Sequence, residues 1–191
     1  MSGSPSTGPG KRSLVRGIWR LARLNREGFV EFAGTPQAFL SSLAPLVAFP
    51  LVGGLLMLLR GMGLVAVTDL LATLVAVLAP PVISEVLARR WGRGVAWLRF
   101  AVAFNWTQWA VPVVGTLLLV AAGMLRMAGL SDEQAVMAWL FGLAGYAIAL
   151  HWFLARQGLG VTRGQAVLFI LGVNLGTALL VFLPRQLGSG L

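Results

Sequence analysis

The sequence predicts an all-α, polytopic membrane protein with five transmembrane helices and a separate amphipathic helix at its N-terminus. Three observations carry that prediction. Of the 191 residues, 58% are hydrophobic and only 11% charged, with a mean hydropathy of +0.84. A soluble domain of this size must cover itself with polar side chains, which this composition cannot supply. The apolar residues fall in five blocks, each long enough to cross a hydrocarbon core about 30 Å thick at about 1.5 Å of rise per residue. The cations sit between these blocks in an alternating, one-sided way.

Residues 1–10 are almost entirely Ser, Gly and Pro, have nothing to bury, and read as a disordered tail. No apolar segment with a small-residue cleavage site follows the early charges, so the chain is expected to keep its N-terminus. Residues 11–34 form a basic cytoplasmic segment. Between 11 and 25 a period of 3.6 puts Arg12, Arg16, Arg20 and Arg23 on one face and Leu14, Val15, Ile18, Leu21 and Ala22 opposite, the pattern of an amphipathic helix. Such a helix either lies in the headgroup layer with its arginines toward phosphates or packs on the protein's own cytoplasmic surface.

The five-helix domain covers 35–185, with spans expected at 39–59, 64–83, 100–125, 135–155 and 166–183 and a short tail at 186–191. Lipid offers the backbone no hydrogen-bond partners, so each span must be helical. Thr35 before Pro36 reads as an N-cap followed by proline at the first helical position. Ser131 with Gln134 and Thr162 with Gln165 match capping boxes ahead of spans four and five. Gly61, Gly63, Gly129, Gly158, Gly160 and Pro184 follow span ends, where helices stop. Pro45, Pro50, Pro80 and Pro81 predict kinks or a disrupted helix end.

Fourteen of the fifteen cationic residues are Arg. With the heavy use of Ala, Gly, Leu and Val, this composition points to a GC-rich bacterial gene and so to a bacterial inner membrane. With the N-terminus cytoplasmic, that side holds Lys11, Arg12, Arg16, Arg20, Arg23, Arg26, Arg89, Arg90, Arg93, Arg99, Arg156 and Arg163, and the periplasmic side only Arg60, Arg126 and Arg185. This asymmetry is what the positive-inside rule expects of five spans, with the C-terminus outside. Trp91, Trp97 and Trp152 fall where interfacial aromatic belts occur, and 85–97 is expected to form a second interfacial helix. A formal charge of +9 spread between apolar blocks suits anionic lipid, not nucleic acid. Lys11, Arg12, Arg16, Arg20, Arg23, Arg89, Arg90 and Arg93 are the candidate lipid-headgroup or partner-binding residues.

Few groups could do chemistry. There is no Cys, and the single His151 has no second His or carboxylate with which to hold a metal, so neither metal nor cofactor is expected. His151 reads best as a solvated or interhelical hydrogen-bonding group. Asp69 is the one acid well inside a span, with a structural or interfacial role, or a proton or ion role, open to it. Asn105 and Gln108, three residues apart and expected on one face, and Asn174 in span five either join helices or, with Asp69, line an intramembrane polar path. Ala138, Gly142, Gly145 and Ala149 make a small-residue stripe along span four, and Gly172 with Gly176 a Gly-x-x-x-Gly in span five. Both are expected to pack helices, against each other or on a partner or second copy. No nucleophile motif, P-loop or zinc-binding His-Glu-x-x-His occurs, so the chain is expected not to be an enzyme.

Three stretches resemble the Yip (Ypt-interacting protein) superfamily as represented in bacteria: Thr35-Pro36-Gln37-Ala38-Phe39 leading into span one, the segment 104–112 in span three, and 155–166 before the final span. The likeness covers about residues 35–183, and implies a five-span membrane protein without an assigned activity. The Asp-Tyr-rich N-terminal pattern of the eukaryotic members is absent, so small-GTPase binding is not implied. The expected function is a non-enzymatic inner-membrane protein that organises lipid or partner proteins through its basic cytoplasmic face. A small-solute or ion transporter, or an accessory subunit of a larger complex, is the alternative.

Overall fold

A computed structural model describes residues 13–188, and the side chains of 13–183. The tail and the cations Lys11 and Arg12 lie outside the described residues. The chain forms α1 (Leu14–Ala22), a 3-10 turn (Arg26–Glu31), α2 (Pro36–Leu59), α3 (Gly63–Arg90), α4 (Gly94–Thr107), α5 (Ala110–Met127), α6 (Asp132–Leu159) and α7 (Arg163–Gly188). No strand occurs among the described residues. Five helical stretches are long and apolar enough to cross a membrane: α2, α3, α4 with α5, α6 and α7. The protein is a multi-pass membrane protein.

The capping signals act as the sequence predicts. The Ala38 amide donates to Thr35 Oγ1 (3.2 Å). Ser131 and Gln134 exchange both bonds of a capping box, as do Thr162 and Gln165. Gly160 closes α6 in the left-handed region at φ 63°, where any Cβ would crowd the following carbonyl.

Several boundaries differ from expectation. Pro80 and Pro81 lie inside α3 and do not end it. Residues 85–90 continue that helix, and a turn at 91–93 separates it from α4, so 85–97 is not an interfacial helix of its own. The third span is two helices with a break at Gln108 and Trp109. Pro112 lies in the first turn of α5, where its missing N–H costs no bond. The last helix runs past Pro184 to Gly188, so 186–188 extend it instead of forming a tail.

The helices alternate in direction. One end of the bundle therefore collects the starts of α2, α4 and α7 and the ends of α3 and α6, together with Arg89, Arg90, Arg93, Arg99, Arg156 and Arg163; it is called here the basic end. The packed core sits toward this end. It joins Leu21, Phe29 and Phe32 of the N-terminal segment to Trp97, Phe100 and Val102 of α4, to Leu150, Phe153, Leu154 and Leu159 of α6 and to Phe169 of α7. Among the described residues, the buried hydrophobic side chains outside this cluster are Ala66, Ala79, Ala110, Ala122 and Ala135, all of them alanine. The contrast has a physical cause. Lipid tails are as apolar as leucine, so helices gain from meeting there only by close backbone approach, which alanine and glycine allow. Toward the water, burying large apolar side chains is favourable in itself. The leucines and valines remote from the basic end, such as Leu59 and Leu64, are instead turned outward.

The two small-residue stripes do not meet each other. A Cβ on Gly176 would stand 2.8 Å from Ile83 and one on Gly172 3.3 Å from Leu87. The Gly-x-x-x-Gly face of α7 thus receives α3, not the stripe of α6. Ala138, Gly142, Gly145 and Ala149 are exposed; of the two glycines, Gly142 has Leu118 of α5 near where its Cβ would be and Gly145 has nothing within 4 Å. α6 instead turns Ala135, Leu150 and Leu154 inward. The larger side chains win that face because they fill the space around α4, where volume is needed.

Candidate functional site

At the basic end a cleft of about 640 Å³ opens between Gly34 and Thr35 ahead of α2, Gly92, Arg93 and Arg99 at the start of α4, and Gly158 near the end of α6. Its shape follows from local sequence. Gly92, at φ 68°, reverses the chain between α3 and α4 in a conformation that disfavours any Cβ. Gly34 lets the approach to α2 pass Arg99, whose Cβ would lie 3.2 Å from a Cβ there. Arg93 occupies the N-cap of α4 without a side-chain cap, leaving first-turn amides and the positive end of the helix dipole at the cleft. Arg93 and Arg99 are both exposed and make no ion pair among the described residues. Two guanidinium groups beside an uncapped helix start form an anion-attracting surface.

The cations named from the sequence divide into groups. Arg89 is neutralised by Glu85 at 2.6 Å, whereas Arg90 and Arg93 are exposed and unpaired among the described residues. Arg20 faces the buried Glu31 at 3.8 Å, and that carboxylate also accepts the Ser13 amide at 3.0 Å. Arg23 stacks on Trp19, 4.3 Å from the ring centroid. Arg16 is exposed. Arg99, absent from the candidates read off the sequence, joins the cleft because the chain reverses at Gly92; its place in the Arg-rich connection was the available signal.

α1 is packed on the bundle. Leu21 is fully buried, Gly17 sits against the Phe32 ring, and Tyr146 Oη of α6 donates to the Ala22 carbonyl at 3.1 Å. Docking splits the expected apolar face. Ile18 and Leu21 turn to the protein, while Val15, 78% exposed, and Trp19, 58% exposed, lie outside beside Arg16 and Arg23. The outward face of α1 is thus apolar and cationic together, the combination that suits a headgroup boundary.

Within the bundle, the four residues of the expected polar path separate. Asn105 Nδ2 donates to Ser42 Oγ of α2 at 3.0 Å, and Ser42 in turn donates to the Phe39 carbonyl. Gln108, at the break, points instead to α6, its amide 3.2 Å from His151 Nε2 through nitrogen and 3.4 Å through oxygen; the imidazole tautomer decides which partner donates. Gln108 keeps the helical conformation, its amide still donating to the Phe104 carbonyl at 3.1 Å, but its side chain and that of Asn105 take partners on different helices. Asn174 Nδ2 donates to the Ile170 carbonyl of its own helix. Asp69 is half-buried on α3, its carbonyl accepting from Thr73 Oγ1. A second cavity of about 430 Å³ brings Gln108, His151, Asn174 and Thr177 together, without Asp69 or Asn105. Ser42, Ser84 and Thr177 are polar groups the sequence reading did not single out. Ser84 accepts Trp97 Nε1 at 3.0 Å, a pairing that short serines in apolar runs do not announce.

No cluster of three metal-ligating side chains occurs among the described residues. Comparison of the chain with protein-family models, curated proteins and solved structures finds no match in any of the three.

Proposed function

We propose that this is a non-enzymatic inner-membrane protein of bacterial type that organises anionic lipid, and through it partner proteins, at its basic end, which faces the cytoplasm. The carrying observation is the cleft at the start of α4, where Arg93 and Arg99 stand exposed and unpaired among the described residues beside an uncapped helix start. The outward face of α1 adds Arg16, Val15, Trp19 and Arg23, which fit the same boundary. Each exposed Arg near an anionic surface contributes about 1 kcal/mol of attraction, so a few such cations suffice to enrich anionic lipid. The resemblance to the Yip superfamily belongs to this proposal and adds no residue to it.

The test is lipid retention by the full-length protein purified in mild detergent from mixed phosphatidylglycerol and phosphatidylcholine. Arg93→Ala with Arg99→Ala should reduce phosphatidylglycerol enrichment several-fold, and added salt should do the same to the wild type, whereas Arg60→Ala at the opposite end should not. Enrichment that ignores both the substitutions and the salt rejects the reading. A transport role gains support from Gln108 and Asn174 sharing a cavity; solute flux in proteoliposomes that survives Asn174→Leu would remove that support.

A further inference from the structure

The cavity beside the break between α4 and α5 opens on the side of the bundle near its mid-height. Asn174 is eleven residues beyond the start of α7 at Arg163, about 16 Å along the axis, which is near the middle of a core about 30 Å thick. Two backbone defects meet there. The chain leaves its helix at Gln108, and Pro80 on α3 has no N–H to give the carbonyl of Ala76, a residue that lines the cavity. Among the described residues the polar side chains that line it are uncharged. Gln108 and His151 bond each other, Asn174 gives one of its two amide hydrogens to the Ile170 carbonyl and keeps its oxygen, and Thr177 Oγ1 is buried with no partner among the described residues. Phe104, Val173 and Phe182 supply the apolar walls.

We propose that this cavity seats the free hydroxyl of an uncharged lipid, with the lipid's chain running out between the helices. The volume of about 430 Å³ falls in the range of about 300–1,000 Å³ typical of small-molecule sites. Among the described residues no charged side chain lines it, so an ionic headgroup would be desolvated without a counter-charge from them. Among the groups left over, the Ala76 carbonyl without its helical donor and the Asn174 amide oxygen accept, while the Thr177 hydroxyl can donate or accept, so an occupant hydroxyl, donor and acceptor at once, matches them. Access is lateral, because Asn174 and Phe182 reach the exposed surface of α7. This site is separate from the basic cleft, and either can fail without the other.

The experiment uses the full-length protein in nanodiscs and a monoacylglycerol carrying a photoreactive diazirine on its chain. Labelling should concentrate on peptides containing 104–109 and 170–183. Monoolein and farnesol, competing in separate arms, distinguish a glyceride from an isoprenoid alcohol as the source of the hydroxyl; displacement by either supports the proposal. The dimethyl ether of monoolein, which keeps the shape and loses both donors, should compete about tenfold less well than monoolein, as expected when a buried acceptor goes unpaired. Thr177→Val should weaken labelling by a similar factor, and Ala178→Phe, which fills the cavity with carbon, should abolish it. Labelling spread evenly over all lipid-facing helices, displacement by neither alcohol, or an ether that competes as well as monoolein overturns the proposal. Because the ether comparison uses wild-type protein, it decides the matter even if a variant fails to fold.

Discussion

Gly158 offers a direct test of how the core is built. It lies in the last turn of α6, and a Cβ there would stand 2.9 Å from Phe100 Cδ2 and 2.9 Å from both Cε1 and Cζ of Phe29. Carbon atoms rest at about 3.5–4.0 Å, so Gly158→Ala requires the two rings to withdraw by about 0.6–1.1 Å. Neither is free to do so. Phe100 is 2% exposed and packs edge-on against Phe169 at 5.4 Å, and Phe29 lies against Phe153. Overpacking of this kind costs about 1–3 kcal/mol. Alanine returns up to about 1 kcal/mol of helix propensity over glycine, leaving a net loss of up to about 2 kcal/mol. The same substitution at Gly145, on the same helix with nothing within 4 Å of the new Cβ, keeps the propensity term alone and should be neutral or stabilising. The two variants should therefore differ by about 1–3 kcal/mol, a factor from about five to over a hundred in the unfolding equilibrium. Reversible unfolding of the purified protein in mixed micelles titrated with sodium dodecyl sulfate measures that gap. If Gly158→Ala is as stable as Gly145→Ala, the aromatic packing described around α4 is wrong.

Other outcomes follow from individual contacts. Tyr146→Phe removes the hydrogen bond that holds the end of α1, worth about 1 kcal/mol; hydrogen exchange should quicken about fivefold across α1 and stay unchanged in α3 and α7. Asn105→Leu and Ser42→Ala should show a coupling of about 0.6 kcal/mol in a double-mutant cycle, the average for bilayer hydrogen bonds, and zero coupling would separate the pair. Asn105→Asp puts a carboxylate where its neighbour is a serine and should cost about 3 kcal/mol, read as loss of folded protein in detergent. Ser131→Ala breaks the capping box of α6 and should lower stability by about 1 kcal/mol, with no effect on lipid retention at the other end of the bundle.

Some of this could be read from the chain directly and some could not. The two capping boxes, the N-cap at Thr35 and the glycine stop at Gly160 are local events, decided by side chains within three or four residues of the backbone groups they satisfy, and the structure shows each of them. Prolines did not mark helix ends. α7 continues past Pro184 to Gly188, and of the kink or disrupted end expected at Pro80 and Pro81 the disrupted end does not occur, since α3 persists to Arg90. The candidate residues were legible as polar groups in apolar runs, but not as pairs. Asn105 finds Ser42 across 63 positions and Gln108 finds His151 across 43, and nothing periodic connects them.

Composition and hydropathy were enough for the class: a backbone surrounded by hydrocarbon must satisfy its own hydrogen bonds, so five long apolar blocks become five helices whatever their neighbours are. The direction in which each helix faces needed the folded molecule. In lipid the apolar stripe carries no inward signal, since leucine is at home against a neighbour or against a tail. Shape decides instead, and it set Gly176 and Gly172 of α7 against Ile83 and Leu87 while leaving Gly142 and Gly145 of α6 exposed. The docking of α1 and the cavity at Gln108 come from the same fitting of volumes, a property of several helices at once that no single segment contains.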